Sequence, residues 1–297
     1  MQQALVRRRV FTFDQGIKYF FRFNAAIAIL VILALVVFLF QQGMPFFKHH
    51  SPLELLGRNW ATYRGEYSEY GLIPLFVASA WVVVLAMGMA VPMGVCAAVY
   101  IAEIAGEREK SFLKNFIEVL ASFPSVVMGF FALAALAPFV QDFFHLTTGR
   151  TLLTASIVLA MMALPTVISV SEDAIRNVPL EYKRASLALG ASRLTTLMRV
   201  ILPAASKGII AAFMLGIGRV VGETMAVLMV AGMSRQIPLS PIDSGRPMTA
   251  TIAAEMGEVS AGSDGYSVLF LIGIVLFFIT LGINLAILRL TSGKAAK

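Results

Sequence analysis

Six long apolar runs divide this sequence, and their length constrains the fold more than any other feature. A helix needs about 20 apolar residues to cross a hydrocarbon core of about 30 Å. The runs are Ala25–Phe40, Leu72–Ile101, Val119–Val140, Leu152–Val170, Ile209–Ala231 and Ser267–Leu288. The 297 residues are 58% hydrophobic and 14% charged, which is far more apolar than a soluble domain of this size. The sequence therefore predicts an all-α integral membrane protein with six transmembrane helices.

The positively charged residues predict which side of the membrane each segment faces. If the N-terminus is cytoplasmic, 17 of the 24 Lys and Arg residues fall in inner segments and six in outer segments, while Arg219 lies within a span. Inner loops of membrane proteins carry such an excess of basic residues. No small-residue cleavage pattern follows the first run, so this run is predicted to be an uncleaved anchor. We expect both termini to be cytoplasmic.

Several functional classes conflict with the sequence. The single cysteine, Cys96, lies in an apolar run and leaves no disulfide or thiol-metal framework. The histidines, His49, His50 and His145, lie outside the runs without a partner at useful spacing, so no metal, cofactor or enzymatic activity is predicted. No glycine-rich phosphate-binding loop is present, so ATP hydrolysis would require a separate protein. The net charge of +7 comes from basic residues between apolar runs, so nucleic acid is not an expected partner.

Two charged residues, Arg219 and Glu223, lie four positions apart inside the fifth apolar run. One charge at the centre of a membrane helix costs roughly 2.5–3.5 kcal/mol on insertion scales, so a chain that keeps two on one face is expected to use them. Gly218 and Gly222 form a pair of small residues that would let another helix pack closely beside them. From the residues alone, the charges either line a gap between helix bundles or form an ion pair that only stabilises the bundle.

The inner segment Ser171–Lys207 is predicted to form two short helices joined at Gly190. One apolar face follows the i, i+3, i+4, i+7 spacing and consists of Leu194, Leu197, Met198 and Ile201. Ser192 can cap the second helix, and Pro203 is expected to end it. A DNA-binding helix-turn-helix would fit the basic charge, but the flanking spans hold the segment at the membrane and no base-reading pattern is present. A docking element for a cytosolic protein is favoured over a basic loop without a partner.

The outer segment Met233–Tyr266 contains one further predicted helix. Apolar residues recur near helical spacing at Met248, Ile252, Met256 and Val259. Pro247 is expected to start this helix. The pattern predicts a short amphipathic helix on the membrane surface.

The inner segment also carries the first family resemblance. Residues 178–203 resemble the EAA loop of ABC-importer permeases, in which a small-residue pair, a glycine four positions later and a Leu-Pro ending precede the next span. In that family the loop docks into a groove of a cytosolic ATPase, so the resemblance implies that Arg184, Ala185, Ser186, Gly190 and Pro203 belong to an ATPase-coupling element. Arg184 replaces the usual glutamate of Glu-Ala-Ala, so a contact through that carboxylate is not carried over.

The fifth span narrows the resemblance. Residues 218–227, Gly-Arg-Val-Val-Gly-Glu-Thr-Met-Ala-Val, look like the signature of the PstC-type permease subunit of phosphate importers. Residues 122–131 and 91–103 also look like that subunit. The resemblance covers roughly Leu72 to Arg289 and implies a type I, MetI-like permease core over residues 72–290, preceded by an N-terminal segment of residues 1–71. It also implies a bacterial inner membrane location, a PstB-type ATPase, a PstA-type second permease and a periplasmic phosphate-binding protein as partners.

A guanidinium suits phosphate because it is planar, permanently charged and able to donate two parallel hydrogen bonds. The resemblance makes Arg219, Glu223 and Thr224 the expected substrate pathway, and Thr249 is a further neutral donor. An ionised Glu223 would repel a phosphate dianion. Three roles for Glu223 therefore stay open. It can neutralise Arg219 in the empty site, weaken the binding of phosphate by Arg219, or donate a hydrogen bond when protonated. A permease for sulfate or molybdate fits the same charges, and an ion-coupled secondary transporter is a further alternative, although no inverted repeat is present.

Overall fold

The structure is a computed structural model that describes residues 2–61 and 69–292, with side-chain environments from residue 17 onward except at 286, 287 and 290–292. Arg64, Lys294 and Lys297, which enter the count of basic residues, lie outside the described residues. The end of the helix bundle that carries residues 171–207 is here called the basic end, and the other is called the opposite end.

The helices follow one another along the chain with two short strands between the first two. The α-helices are α1 Gln2–Gly43, α2 Ile73–Val99, α3 Glu107–Ser122, α4 Ser125–Phe131, α5 Ala137–Phe144, α6 Leu152–Arg176, α7 Leu180–Ala188, α8 Arg193–Thr196, α9 Leu202–Gly222, α10 Met225–Val230, α11 Met248–Glu255 and α12 Asp264–Ser292. Two 3₁₀ turns, Met44–Lys48 and Pro52–Leu56, precede the antiparallel strands β1 Trp60–Ala61 and β2 Glu69–Tyr70. Three π-helical turns, Tyr100–Ile104, Ala132–Leu136 and Leu197–Ile201, continue the helices before them.

Six helical segments in the described chain are long and apolar enough to cross a membrane. They are Ile17–Lys48, Ile73–Ile104, Ser125–Phe144, Leu152–Arg176, Arg193–Gly222 and Asp264–Leu285. The predicted all-α fold with six transmembrane helices is therefore confirmed.

The fourth span, α6, is the central helix and packs against α2 and α9. Close packing depends on two glycines beside Val167 of α6. A Cβ at Gly94 would lie 2.7 Å from Val167 Cγ1, and one at Gly216 would lie 3.1 Å from Val167 Cγ2. Small residues at these crossings let the three backbones approach, which is how membrane helices gain packing energy in lipid. The apolar core of the bundle forms around this contact.

The third span begins later than predicted. Val119 lies in α3, a separate helix whose end is followed by extended Phe123, with φ −64° and ψ 128°. The break follows from Pro124, because a proline disfavours the helical conformation of the residue before it. The span proper starts at Ser125, so the predicted start at Val119 is wrong.

The first helix stands apart from the bundle over much of its length. Side chains from Ile17 to Leu35 are exposed, and packing starts near Leu39, where α1 meets α12. Two edge-to-face aromatic pairs join these helices, Phe38 with Phe270 and Phe40 with Phe278, with ring centroids 5.6 and 6.3 Å apart. Such pairs favour a defined register between the helices.

The outer helix forms as predicted but lies elsewhere. It starts after Pro247 and covers Met248–Glu255 as α11. Met248, Ala250, Thr251 and Glu255 are buried, and α11 packs against α2, α10 and α12. The predicted position on the membrane surface is therefore wrong, because neighbouring helices cover this helix on several sides.

Candidate substrate pathway and coupling surface

The fifth span is interrupted at the predicted substrate residues. α9 ends at Gly222, Glu223 is extended with φ −72° and ψ 131°, and α10 begins at Met225. The predicted continuous helix Ile209–Ala231 is therefore wrong. A carboxylate can accept hydrogen bonds from the free N–H groups of a helix start, and Glu223 Oε1 accepts one from Ala226 N at 3.2 Å.

A second hydrogen bond holds the break from outside the span. Thr249 Oγ1 donates to the Glu223 carbonyl at 2.9 Å and so ties α11 to the interrupted helix. Thr224 Oγ1 donates to the Gly222 carbonyl at 3.3 Å. The hydroxyls of Thr224 and Thr249, both expected as donors in the pathway, thus bind backbone carbonyls at the break. Non-helical backbone at membrane depth is tolerated where it is buried in protein or lines a cavity. These bonds engage the carbonyls of Gly222 and Glu223 and the N–H of Ala226 at the break.

The two charges of the fifth span are not paired with each other. Arg219 is exposed on the last turn of α9, whereas the Glu223 carboxylate turns to the start of α10. No ion pair joins these two side chains, both of which lie in the described part of the chain. The helix break explains this, because Glu223 has left the i, i+4 position that a continuous helix would give it. The alternative of an intrahelical ion pair is therefore wrong.

Arg219 belongs to an open stripe of α9. The stripe follows the i, i+3, i+4, i+7 spacing and consists of the exposed residues Leu215, Gly218, Arg219 and Gly222. A Cβ added at Gly218 or Gly222 would meet nothing within 4 Å, so no helix among the described residues packs on the glycine pair. The neighbouring Ile217 and Val220 are buried in the apolar core, which places the stripe at the depth of the spans. A charged side chain at that depth is costly unless another protein surface or water covers it.

An apolar groove of about 230 Å³ reaches the helix break at Glu223. Its wall comes from α2, α9, α10, α11 and α12, and includes Val83, Val220, Thr249 and Ile279. Glu223 is the one charged residue among the described residues that line it. The break thus places Glu223 between an apolar groove and the start of α10, while Arg219 faces the open stripe.

Residues 178–203, which the family resemblance assigns to ATPase docking and which are here called the coupling segment, form the predicted pair of helices. α7 and α8 are joined at Gly190, which has φ +82°, a conformation that residues with a side chain rarely adopt. Ser192 caps α8 by accepting a hydrogen bond from Thr195 N at 3.1 Å. The hydroxyls of Ser186 and Thr196 lie 2.9 Å apart and fasten the two helices together.

Pro203 does not end the second helix. The chain continues from α8 through the π-helical turn Leu197–Ile201 into α9, and together these form the fifth span, Arg193–Gly222. Proline is tolerated in the first turn of a helix, where its missing N–H has no intrahelical partner. Pro203 occupies that position in α9 after the π-helical turn has shifted the hydrogen-bond register, so the predicted ending is wrong.

The surface of the coupling segment is apolar and exposed. Its exposed large apolar residues are Leu180, Tyr182, Leu187, Leu189, Leu194 and Met198. The predicted apolar face is only half buried. Leu197 and Ile201 contact the bundle, whereas Leu194 and Met198 are exposed. Arg184 and Ala185 are exposed on α7, whereas Ser186 is half-buried against Thr196.

Ion pairs that sequence reasoning missed fasten the coupling segment and α3 to the spans. Lys183 of α7 pairs with Glu103 in the π-helical turn after α2. Glu172 of α6 is 1% exposed, and its carboxylate lies 2.6 Å from Lys114 Nζ, 3.6 Å from Lys110 Nζ and 3.4 Å from Arg176 Nη1. Only the i, i+4 spacing of Glu172 and Arg176 could have been found from the sequence.

We expect Glu172→Gln to lower stability markedly. The change leaves three cations around a buried neutral amide, and breaking a buried ion pair costs about 3 kcal/mol. Asp173→Asn is the matched control, since Asp173 is the exposed next residue of the same helix. Thermal unfolding in detergent should show a lower midpoint for Glu172→Gln alone. Equal midpoints for the two variants would contradict a structural role for these ion pairs.

The histidine pair has partners that the sequence did not reveal. His50 Nδ1 lies 2.8 Å from Glu54 Oε2, and its Nε2 lies 3.3 Å from Asp264 Oδ2 at the start of α12. His49 Nδ1 lies 3.1 Å from Asp264 Oδ1. Hydrogen bonds from Ser51 N and from His50 lower the pKa of Glu54. These contacts fasten the segment after α1 to the start of α12 at the opposite end of the bundle.

Comparison with known proteins places the chain in a family. Residues 90–291 match the family model of the binding-protein-dependent transport system inner membrane component. The chain is 37% identical to the probable ABC transporter permease protein YqgH of Bacillus subtilis, over 91% of this chain and 88% of that protein. It is 30% identical to the phosphate transport system permease protein PstC 2 of Mycobacterium tuberculosis, over 90% and 88% respectively.

A solved structure supports the same assignment at the level of the fold. An inward-facing MetNI methionine ABC transporter aligns with a TM-score of 0.56 and 18% identity, over 75% of this chain and 94% of the matched chain. The MetI-like permease fold predicted from the sequence is thereby confirmed. The chain belongs to the family of inner membrane components of binding-protein-dependent transport systems, the permease subunits of ABC transporters.

Proposed function

We propose that this permease passes inorganic phosphate from a binding protein outside the membrane into the cytosol. The observation that carries the proposal is the exposed guanidinium of Arg219 on an open stripe beside an interrupted helix. Relatives named as phosphate transport permeases, at about 30% identity over most of the chain, support phosphate as the substrate. The guanidinium can hold two phosphate oxygens at once, which no other residue of the stripe can do.

The open stripe requires a partner chain. Leu215, Gly218, Arg219 and Gly222 form a face at membrane depth that nothing in the described chain covers. We infer that a second permease subunit of the PstA type packs against the two glycines. The gap between the two subunits would then hold Arg219 away from lipid and give phosphate a path. Glu223 and Thr224 shape this path by fixing the helix break, and their hydrogen bonds to backbone groups support that role.

The coupling segment supports a second partner, a cytosolic ATPase of the PstB type. α7 and α8 present exposed apolar side chains next to Arg184 and Ala185, on a segment fastened to α2 through Lys183 and Glu103. Burial of such a surface in a groove would favour docking, because removing apolar area from water contributes about 25 cal/mol per Å². The permease core, residues 72–290, would then carry both the pathway and the coupling segment.

The orientation of the chain follows from this assignment. The coupling segment must face the cytosol to reach an ATPase, which places both termini there as well. Reporter fusions after Gly190 and after Ser244 should therefore report opposite sides of the membrane, with Gly190 inside. Reports from the same side for both fusions would contradict the six-span topology.

Phosphate uptake by cells tests the proposed function. A strain whose own phosphate importers are deleted should recover uptake of labelled phosphate when this chain is expressed with a PstB-type ATPase, a PstA-type second permease and a phosphate-binding protein. Omission of this chain alone should remove the recovered uptake. Recovery of sulfate or molybdate uptake in place of phosphate would overturn the substrate assignment.

A further inference from the structure

The helix α3 lies at the basic end and has three faces of different character: one packed on the bundle, one aromatic and one polar. One side carries Leu113 and Ile117, which pack into the apolar cluster formed there by α2, α6 and α9. Lys110 and Lys114 continue this side and reach the buried Glu172 of α6. The helix is therefore docked by both apolar contacts and ion pairs.

Both ends of α3 are also fixed. Its first turn is tied to the end of the second span, where the Tyr100 hydroxyl donates to Glu109 Oε1 at 2.5 Å. Its last residue, Ser122, is followed within three residues by the start of the third span at Ser125. The second span arrives at the membrane surface of the basic end and the third span departs from it. The helix of 16 residues, about 24 Å long, thus begins and ends at one membrane surface.

The second side of α3 is aromatic and uncovered. Phe112, Phe116 and Val119 recur at i, i+4, i+7 and are 69%, 60% and 57% exposed. Phe123, just after the helix, is 45% exposed and extends the stripe towards the third span. The third side is polar and exposed, and consists of Arg108, Ser111, Asn115 and Glu118. A hydrophobic face beside a polar face is typical of helices that lie in a membrane interface.

We propose that α3 lies in the plane of the membrane and inserts its aromatic stripe, Phe112, Phe116, Val119 and Phe123, into the phospholipid leaflet at the basic end. Continuity with the surface of the spans favours lipid as the occupant, because exposed apolar residues flank the stripe along the chain, Ile104 before α3 and Val127 in the third span after it. The docked side leaves the stripe pointing away from α6. The polar side then meets water and headgroups. This inference does not depend on the substrate.

Spin labels at two adjacent residues test this orientation. In the full chain with Cys96→Ser, single cysteines are introduced as Phe116→Cys on the stripe and Asn115→Cys on the polar side, then labelled in phospholipid vesicles. Oxygen concentrates in lipid and a nickel chelate stays in water, so the ratio of their collision rates reports the environment. We expect this ratio to be several-fold higher at residue 116 than at residue 115. Equal ratios, or a higher ratio at residue 115, would overturn the proposal.

A second set of measurements distinguishes lipid from protein as the occupant. The same labels are compared in the chain alone and in the complex with its ATPase and second permease. Lipid contact predicts that residue 116 stays accessible to oxygen in both. Loss of oxygen access at residue 116 in the complex would show that a protein covers the stripe and would refute the proposal. If Phe116→Cys fails to yield folded protein by gel filtration, Val119→Cys takes its place with the same expectation.

Discussion

Replacing Arg219 by glutamine is expected to lower phosphate uptake roughly 100-fold, since hydrogen bonds to a charged donor worth about 3 kcal/mol are lost. Arg219→Lys is expected to fail almost as badly, because an ammonium is a point charge that lacks the planar pair of donors. Lys207→Gln is the matched control, as Lys207 is an exposed basic residue of the same helix. Uptake is measured at equal membrane abundance of each variant.

Loss of Arg219 is not expected to destabilise the fold by leaving Glu223 without a partner. Glu223 has its own partner in Ala226 N, so removal of Arg219 leaves no newly unpaired buried carboxylate. The double variant Arg219→Gln with Glu223→Gln should therefore behave like the single variant in uptake and remain inserted in the membrane. A variant at residue 219 that keeps near-normal uptake would remove Arg219 from the pathway. Rescue by Arg219→Lys alone would indicate a structural charge instead.

Gly190→Val is expected to abolish ATP-driven uptake while the protein still inserts. A Cβ at Gly190 would meet nothing within 4 Å, so the effect arises from the backbone, which has φ +82°. A left-handed conformation costs an L-residue roughly 1–2 kcal/mol, and a β-branched side chain is among the least tolerant. The coupling helices would then lose the turn that sets their relative direction.

Gly106→Val provides the matched control for this change. A Cβ at Gly106 would also meet nothing within 4 Å, but the φ of this residue is −70°, which valine adopts freely. Uptake should therefore stay close to normal in this variant. Normal uptake and ATPase association in Gly190→Val would show that the turn is not needed for coupling.

Local sequence signals predicted the spans and the coupling turn well. The structure confirms six membrane spans, the turn at Gly190 and the cap at Ser192, which all depend on neighbouring residues in the sequence. The break at Glu223 escaped prediction because apolar residues continue on both sides of Glu223 and Thr224, so that Val220 to Ala231 was read as part of one helix. Its stabilising bond comes from Thr249, 26 residues further along the chain.

Long-range pairings account for a second group of features that the sequence did not predict. His50 meets Asp264 across 214 residues, and Lys183 meets Glu103 across 80. Spacing rules for helices and strands do not reach such distances. The predicted helix end at Pro203 was wrong for another reason. A π-helical turn just before Pro203 lets the helix continue through a residue that usually ends one.

Substrate identity is tested most directly by uptake into vesicles that contain the complete assembly: this permease, its second permease, the ATPase inside and the binding protein outside. Labelled phosphate should accumulate only with ATP in the compartment that holds the ATPase. Unlabelled phosphate should compete fully, whereas equal concentrations of sulfate or molybdate should leave the rate unchanged. Accumulation of sulfate or molybdate with no phosphate uptake, or phosphate uptake that needs no ATP, would contradict a phosphate permease of the ABC type.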